Sequence, residues 1–200
     1  MAKSIFSLEE ESRKKEIAHT ALEIIDNYGI KGLTVARISK EVGFVESALY
    51  RHFKSKRNII SFILDQYFLL GKENFIEVNE TSDDPVEQLK LLLKIHLGAL
   101  EDMPGLFKIV HSDEIHIGDD LLLKKLNLLV EEMVEKIKVI FQKGVKKGAL
   151  KKGFDLNLLA INFLGIVQTA FTYWTINGRK SSITKIGGNL LDQLLSGIKK

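Results

Sequence analysis

The stretch Leu33–Arg57, LTVARISKEVGFVESALYRHFKSKR, is the most informative part of the chain. Its apolar residues recur at the spacing of two short α-helices, and Gly43 between them supplies a tight turn. Ser39 is small enough for the two helices to approach closely, and Leu49 fixes the second helix to a core. The stretch therefore predicts a helix-turn-helix whose second helix, at about residues 45–53, carries basic and hydroxyl side chains on its outer side.

Helical periodicity continues through most of the 200 residues, which include two prolines and no cysteine. We predict an all-α fold of about nine helices, with a three-helix N-terminal domain at residues 1–55 and a larger helical domain at residues 56–200. The lack of cysteine excludes disulfides and thiolate chemistry. Because the N-terminus also lacks the continuous apolar core of a signal peptide, we expect a cytoplasmic location.

Charge is distributed unevenly along the chain, although the formal net charge is only +3. Residues 61–142 contain 8 basic and 16 acidic residues, whereas residues 143–200 contain 10 basic and 2 acidic residues. An acidic middle followed by a basic end argues against a protein that coats nucleic acid along its whole length.

The side chains of the helix-turn-helix suit contacts with DNA. Tyr50 and His52 can donate hydrogen bonds to phosphate, and Thr34 and Lys56 each stand at a helix start, beside exposed backbone N–H groups. The remaining outward residues are the candidates for reading base edges, and they are Glu46, Ser47, Arg51 and, from the preceding helix, Arg37. A helical hairpin with a merely solvated basic face has the same periodicity, so spacing alone does not separate the two interpretations.

Particular residues give a more specific indication. The chain resembles the TetR family of transcriptional regulators in YGIKGLT at 28–34, in IS at 38–39 with VGF at 42–44, and in ALYRHFKSK at 48–56. Beyond these segments, only the general layout of helices is similar. The resemblance implies phosphate contacts from Thr34, Tyr50, His52 and Lys56. It also implies a homodimer that binds a palindromic operator in double-stranded DNA, usually as a repressor that a small-molecule ligand releases.

Two positions depart from the family pattern. Val45 stands where serine or threonine is usual at the start of the recognition helix, so a helix cap and a phosphate contact are missing there. Glu46 places a negative charge near the groove, which either lowers the affinity for DNA or enforces a particular base. Neither departure changes the assignment.

The segment Leu156–Gly178 contains no charged residue, so a membrane span has to be considered. Several polar residues within it, and basic residues beyond both ends, favour a core or interface helix and no membrane association. By resemblance to the family, this helix and the one at residues 182–197 form a four-helix dimer interface. The predicted interface residues are Phe163, Gly165, Ile166, Thr169, Ile186, Leu190, Leu191 and Leu194.

A ligand pocket is expected inside the C-terminal domain. Its candidate lining is mostly apolar, which predicts an effector of apolar or aromatic character. Aromatic residues and methionine at helical spacing are more often simply part of a core, and that interpretation stays open. The candidates are Phe68, His96, Met103, Phe107, His111, Gln168, Phe171 and Trp174.

We find no catalytic or metal-binding constellation in the sequence. No glycine-rich phosphate loop follows a strand, and the histidine and acidic residues at 111–116 have no recognised ligand spacing. We expect no enzymatic activity, no metal and no cofactor. In the main hypothesis a ligand shifts the helix that begins near Lys56 and so changes the spacing of two recognition helices. The alternative is a constitutive helix-turn-helix protein whose C-terminal domain only dimerises and binds no ligand.

Overall fold

The computed structural model describes residues 12–116 and 118–200. These residues form ten α-helices, a 3₁₀ turn at Ile30–Gly32 and no β-strand. The prediction of an all-α fold is therefore confirmed. The helices are α1 Ser12–Tyr28, α2 Val35–Val42, α3 Glu46–His52, α4 Lys56–Thr81, α5 Pro85–Asp102, α6 Gly105–Val110, α7 Asp113–His116, α8 Asp120–Lys146, α9 Leu156–Ile176 and α10 Ile183–Ile198.

The α7 helix is a short element that the sequence did not predict. Its first turn is capped, because the Ser112 hydroxyl oxygen accepts a hydrogen bond from the Glu114 N–H at 3.2 Å. Ile115 anchors the helix through a buried side chain. Four residues are too few to show a helical period, so periodicity could not predict this element.

The chain divides into two compact units. The first comprises the described residues up to Leu70 together with Asp102–Leu129, and the second comprises Gly71–Glu101 and Val130–Lys200. This division lies inside α4 and α8, and so it differs from the predicted border between residues 55 and 56. The physical reason is that α6, α7 and the first part of α8 pack with the N-terminal helices.

Within the first unit, α6 lies very close to α1. A Cβ added at Gly105 would stand 2.1 Å from the backbone oxygen of Leu22, so a residue with a side chain cannot occupy this position without a shift of the backbone. Lys108 strengthens the contact through an ion pair with the Asp26 carboxylate at 3.1 Å. Helix α1 is thereby joined to a segment far along the chain.

Within the second unit, α9 is a core helix. The Asp155 carboxylate caps its start by accepting hydrogen bonds from the N–H groups of Asn157 and Leu158, at 2.8 and 3.1 Å. By length and composition α9 is apolar enough to cross a membrane. One side of it is nevertheless buried in the protein, which is typical of the core of a globular fold. The buried residues are Leu159, Ala160, Phe163, Val167, Ala170, Phe171 and Trp174.

Candidate nucleic-acid interface

Local chemistry positions the recognition helix α3. Gly43 has a φ of 76°, in the left-handed region, and the Phe44 N–H donates to the Ser39 carbonyl oxygen at 2.8 Å, which closes α2. Leu49 is only 1% exposed and fixes α3 to the core. Immediately after α3, the buried Phe53 ring meets Phe62 edge to face, with 5.5 Å between the ring centres.

The outward side of α3 is polar and accessible. We call it the reading face, and it consists of Glu46, Ser47, Tyr50 and Arg51, which are all exposed. The Tyr50 side chain is 44% exposed, so its hydroxyl can reach a phosphate. These four side chains were predicted to contact DNA, and the structure places them together on one accessible helix.

Two further predicted phosphate contacts, Thr34 and His52, also have structural roles. The Thr34 hydroxyl caps α2 by accepting a hydrogen bond from the Arg37 N–H at 3.2 Å. It keeps its own proton, so it can still donate to a phosphate oxygen. The half-buried His52 ring stacks on Phe44, with 6.4 Å between the ring centres, and this contact orients the imidazole.

Arg37 is held inside the N-terminal unit and does not extend freely outward. Its guanidinium group donates to the Gly32 carbonyl oxygen at 2.8 Å and lies 4.2 Å from the centre of the Tyr28 ring. The sequence placed Arg37 among the residues that read bases. These contacts brace the connection between α1 and α2, and a contact of Arg37 with bases stays a prediction.

Lys56 and Arg57, at the start of α4, both form ion pairs with distant acidic residues. The Lys56 ammonium donates to the Ile30 carbonyl oxygen at 2.5 Å and lies 3.4 Å from the Glu114 carboxylate. Arg57 lies 2.9 Å from the Asp119 carboxylate. The positive charge expected to meet phosphate is therefore partly neutralised within the protein, which the sequence did not reveal.

The predicted pocket residues differ widely in exposure. Met103, Phe171 and Trp174 are buried, Phe68, His96 and Phe107 are half-buried, and His111 and Gln168 are exposed. Burial lowers the pKa of His96 to about 4, so its imidazole is neutral at pH 7. The His111 ring stacks on Phe107, with 3.9 Å between the ring centres. Exposed side chains such as His111 and Gln168 do not line a closed interior.

Metal ligation at residues 111–116 has no support in the geometry. The His111 and His116 rings each contact a backbone carbonyl oxygen, of Phe107 at 3.0 Å and of Val110 at 2.8 Å. Across residues 12–116 and 118–200, no three side chains of histidine, aspartate or glutamate are grouped so that they could hold a metal ion.

The predicted dimer residues divide into a core set and an accessible set. Phe163 and Leu191 are buried within the protomer, so they belong to its own core and are unavailable to a partner. Periodicity shows that a helix has apolar sides, but it does not show which side its own chain covers. The accessible or half-buried members are Gly165, Ile166, Thr169, Ile186, Leu190 and Leu194.

Four further apolar side chains on α9, which are not among the predicted interface residues, are exposed. Leu158, Ile161, Tyr173 and Ile176 are between 48% and 79% exposed. They lie at helical spacing from Gly165, beside which a Cβ would meet open space. A helical projection centred on Gly165 would have found them. We call Gly165 and these four residues the apolar face.

The fold and the reading face together define a helix-turn-helix regulator. Two family models match the chain: "Bacterial regulatory proteins, tetR family" matches residues 17–61, and "YsiA-like protein, C-terminal region" matches residues 71–197. The chain therefore belongs to the TetR family of transcriptional regulators, as its sequence predicted. Regulators of this family are soluble, cytoplasmic, dimeric DNA-binding proteins, and a non-enzymatic role is implied.

Similar proteins are known from both sequence and structure. The nucleoid occlusion factor SlmA of Aliivibrio fischeri (strain MJ11) is 29% identical over 168 residues, which cover 80% of this chain and 82% of that protein. The fatty acid metabolism regulator protein of Bacillus subtilis (strain 168) is 25% identical over 186 residues, which cover 92% of this chain and 94% of that protein.

Two solved structures show the same fold. The ketosteroid transcriptional regulator KstR2 of Mycobacterium tuberculosis has a TM-score of 0.81 and 18% identity, over 96% of this chain and 97% of that chain. The transcriptional regulator FadR from Bacillus subtilis, in complex with stearoyl-CoA, has a TM-score of 0.74 and 24% identity, over 92% and 98%.

Proposed function

We propose that this TetR-family regulator is a homodimeric repressor that binds a palindromic operator and is released by a small molecule. The observation that carries the DNA-binding part is the reading face, on which four polar side chains stand together on a helix anchored by Leu49. Phosphate contacts from Thr34, Tyr50, His52 and Lys56 would fix the register, and Glu46, Ser47 and Arg51 would discriminate bases.

Dimerisation is supported by the apolar face. Exposed apolar side chains are individually ordinary, but four on one helix surface around a glycine form a patch that water solvates poorly. A second copy supplies a matching patch by two-fold symmetry, and Gly165 would let the two backbones approach. The exposed Thr169 and the half-buried Ile166, Ile186, Leu190 and Leu194 extend this surface in the proposal.

The proposed effector is a long-chain acyl-CoA. Support comes from the fatty acid metabolism regulator of Bacillus subtilis and from the FadR complex with stearoyl-CoA. Part of the predicted lining also suits an apolar chain, since Phe171 and Trp174 are buried aromatic residues of the second unit. In this proposal residues 56–200 bind the effector and dimerise, whereas residues 1–55, together with Lys56, bind DNA.

Transmission of the ligand signal would pass through α4. This helix belongs to both compact units, and its first residue contacts Glu114 of α7. A shift of α4 would therefore change the distance between the two recognition helices of the dimer. That distance would no longer match the one-turn spacing of two major-groove sites. A ligand can produce this release only if it binds the shifted state more tightly.

The proposal is tested with DNA selected in vitro from random duplexes by the full-length protein. Stearoyl-CoA, stearate and CoA are then titrated separately against the protein–DNA complex, and fluorescence anisotropy follows the release. We expect release by stearoyl-CoA alone. Selection of no sequence contradicts the DNA-binding part, and unchanged binding with all three contradicts the proposed effector.

The second candidate is constitutive DNA binding without a ligand. It is favoured by the similarity to SlmA, whose name describes a nucleoid occlusion factor. Unchanged operator affinity across a wider set of metabolites would support it over ligand release.

A further inference from the structure

Val45 gives the recognition helix an unusual start. It occupies the N-cap of α3 with an extended backbone, at φ −77° and ψ 146°, and its side chain makes no capping hydrogen bond. Helix α6, with Pro104 at its N-cap, also lacks a side-chain cap, but three other helices begin differently. Thr34, Asp155 and Ser182 each accept a hydrogen bond from the first turn of the helix that follows. A valine here leaves those N–H groups without a side-chain acceptor.

Packing does not compensate for the missing cap. The Val45 side chain is 69% exposed, so it stabilises the core very little. Within Leu33–Arg57, which the structure describes completely, Val45 and Tyr50 are the only exposed large hydrophobic side chains. Tyr50 has a hydroxyl group for phosphate, whereas Val45 has nothing but methyl groups.

The position of Val45 points to a base contact. The N-terminal residues of a recognition helix are the ones that meet base edges in the major groove. Val45 stands directly before Glu46 and Ser47 of the reading face. In the major groove, the C5-methyl group of thymine is the apolar feature that distinguishes one base from the others.

We propose that Val45 recognises a thymine by packing its isopropyl group against the C5-methyl, and that it is a specificity-determining residue. This inference rests on the proposed DNA binding. A serine or threonine cap would hydrogen-bond the backbone or a phosphate, and neither contact distinguishes bases. Valine replaces such a contact with one that discriminates thymine from every base without a methyl group.

The experiment uses deoxyuridine, which differs from thymidine only by the missing methyl group. Each thymine of the selected operator is replaced singly, and then in both half-sites, and affinities are measured for the full-length wild type. At one position per half-site we expect removal of the methyl group to matter. The affinity should fall about fourfold when the methyl is removed in one half-site, and about 15-fold when it is removed in both half-sites.

Two variants complete the test. Val45→Ala removes the two γ-methyl groups, and Val45→Ser removes them while restoring a helix cap, so loss of folding cannot explain its result. In both variants, replacement of the sensitive thymine by uracil should change the operator affinity by less than about 1.5-fold. The reason is that the variants lack the side-chain contact with the C5-methyl group. Discrimination that is equal in the wild type and both variants would overturn the inference.

Two other outcomes separate this inference from the proposed function. If the wild type binds its selected operator and no uracil substitution changes the affinity, the thymine contact is wrong and DNA binding stands. If no sequence is selected at all, both proposals fail.

Discussion

The reading face and the apolar face are both exposed, but their chemistry is opposite. The first presents a carboxylate, two hydroxyls and a guanidinium on α3, whereas the second presents four large apolar side chains around Gly165 on α9. Hydrogen-bonding groups suit the grooves and phosphates of DNA, and apolar area suits a second copy of the chain. In the proposed function each face therefore has its own partner, and each of the two contacts can be tested by a separate substitution.

The largest effect is expected from a charge on the apolar face. Ile161→Asp should yield a monomer and lower operator affinity by about 100-fold or more, because the two half-sites would no longer be bound as one unit. Sedimentation and fluorescence anisotropy measure the two effects. Val139→Asp is the matched control, since Val139 is an exposed apolar residue on α8. Equal loss of the dimer in both variants would contradict a dimer built on α9.

A lower pH should destabilise the second unit through His96, and this prediction does not involve the reading face. Burial lowers the pKa of His96 from 6.5 to about 4, so between these values the unfolded chain binds a proton that the folded chain does not. Stability is therefore lost as the pH falls from 6.5 to 4. Relative to His96→Gln, the wild type should lose about 2 kcal/mol more over this range in urea unfolding experiments. Parallel pH profiles of the wild type and His96→Gln would refute a neutral imidazole at this site.

A smaller, position-specific effect is expected on the reading face. Arg51→Ala should weaken binding by about 1–3 kcal/mol at one base position and relax the preference there, if the guanidinium reads a guanine. Competition with operators changed at single positions measures this preference, and Lys54→Ala, a neighbouring exposed cation, is the control. A uniform loss on all sequences would make Arg51 a phosphate contact instead.

The smallest effect concerns the pair between Lys56 and Glu114. Glu114→Gln removes the competing carboxylate, so Lys56 should bind phosphate better and the operator affinity should rise up to about fivefold. Asp113→Asn makes the same change of charge on the same short helix, at an exposed residue. Equal gains in both variants would show a general charge effect and remove the special role of Glu114.

The sequence predicted local features best. The cap at Thr34, the turn at Gly43 and the core residue Leu49 all depend on neighbours a few residues away, and the structure has each of them. A short motif therefore contained the physical information needed for the helix-turn-helix. The placement of most helices likewise followed from their own periodicity.

Contacts between distant residues could not be predicted in this way. Lys56 meets Glu114, 58 positions along the chain, so its partial neutralisation has no local signal. Phe163 and Leu191 belong to the protomer core because other helices of the unit cover that side of α9 and α10. The contact of Arg37 with the Gly32 carbonyl oxygen was not predicted either, since a basic side chain on a motif helix can also brace its own backbone.

The most direct test of the account is the arrangement of the selected operator together with the number of chains bound to it. Two reading faces joined through a dimer should select an inverted repeat. The centres of its half-sites should be separated by about one helical turn, 10–10.5 base pairs, or by a multiple of that distance. Native mass spectrometry should then find an even number of chains per duplex, and an insertion of about half a turn should reduce binding to that of a single half-site. A single unrepeated site bound tightly by one chain would contradict the central claim.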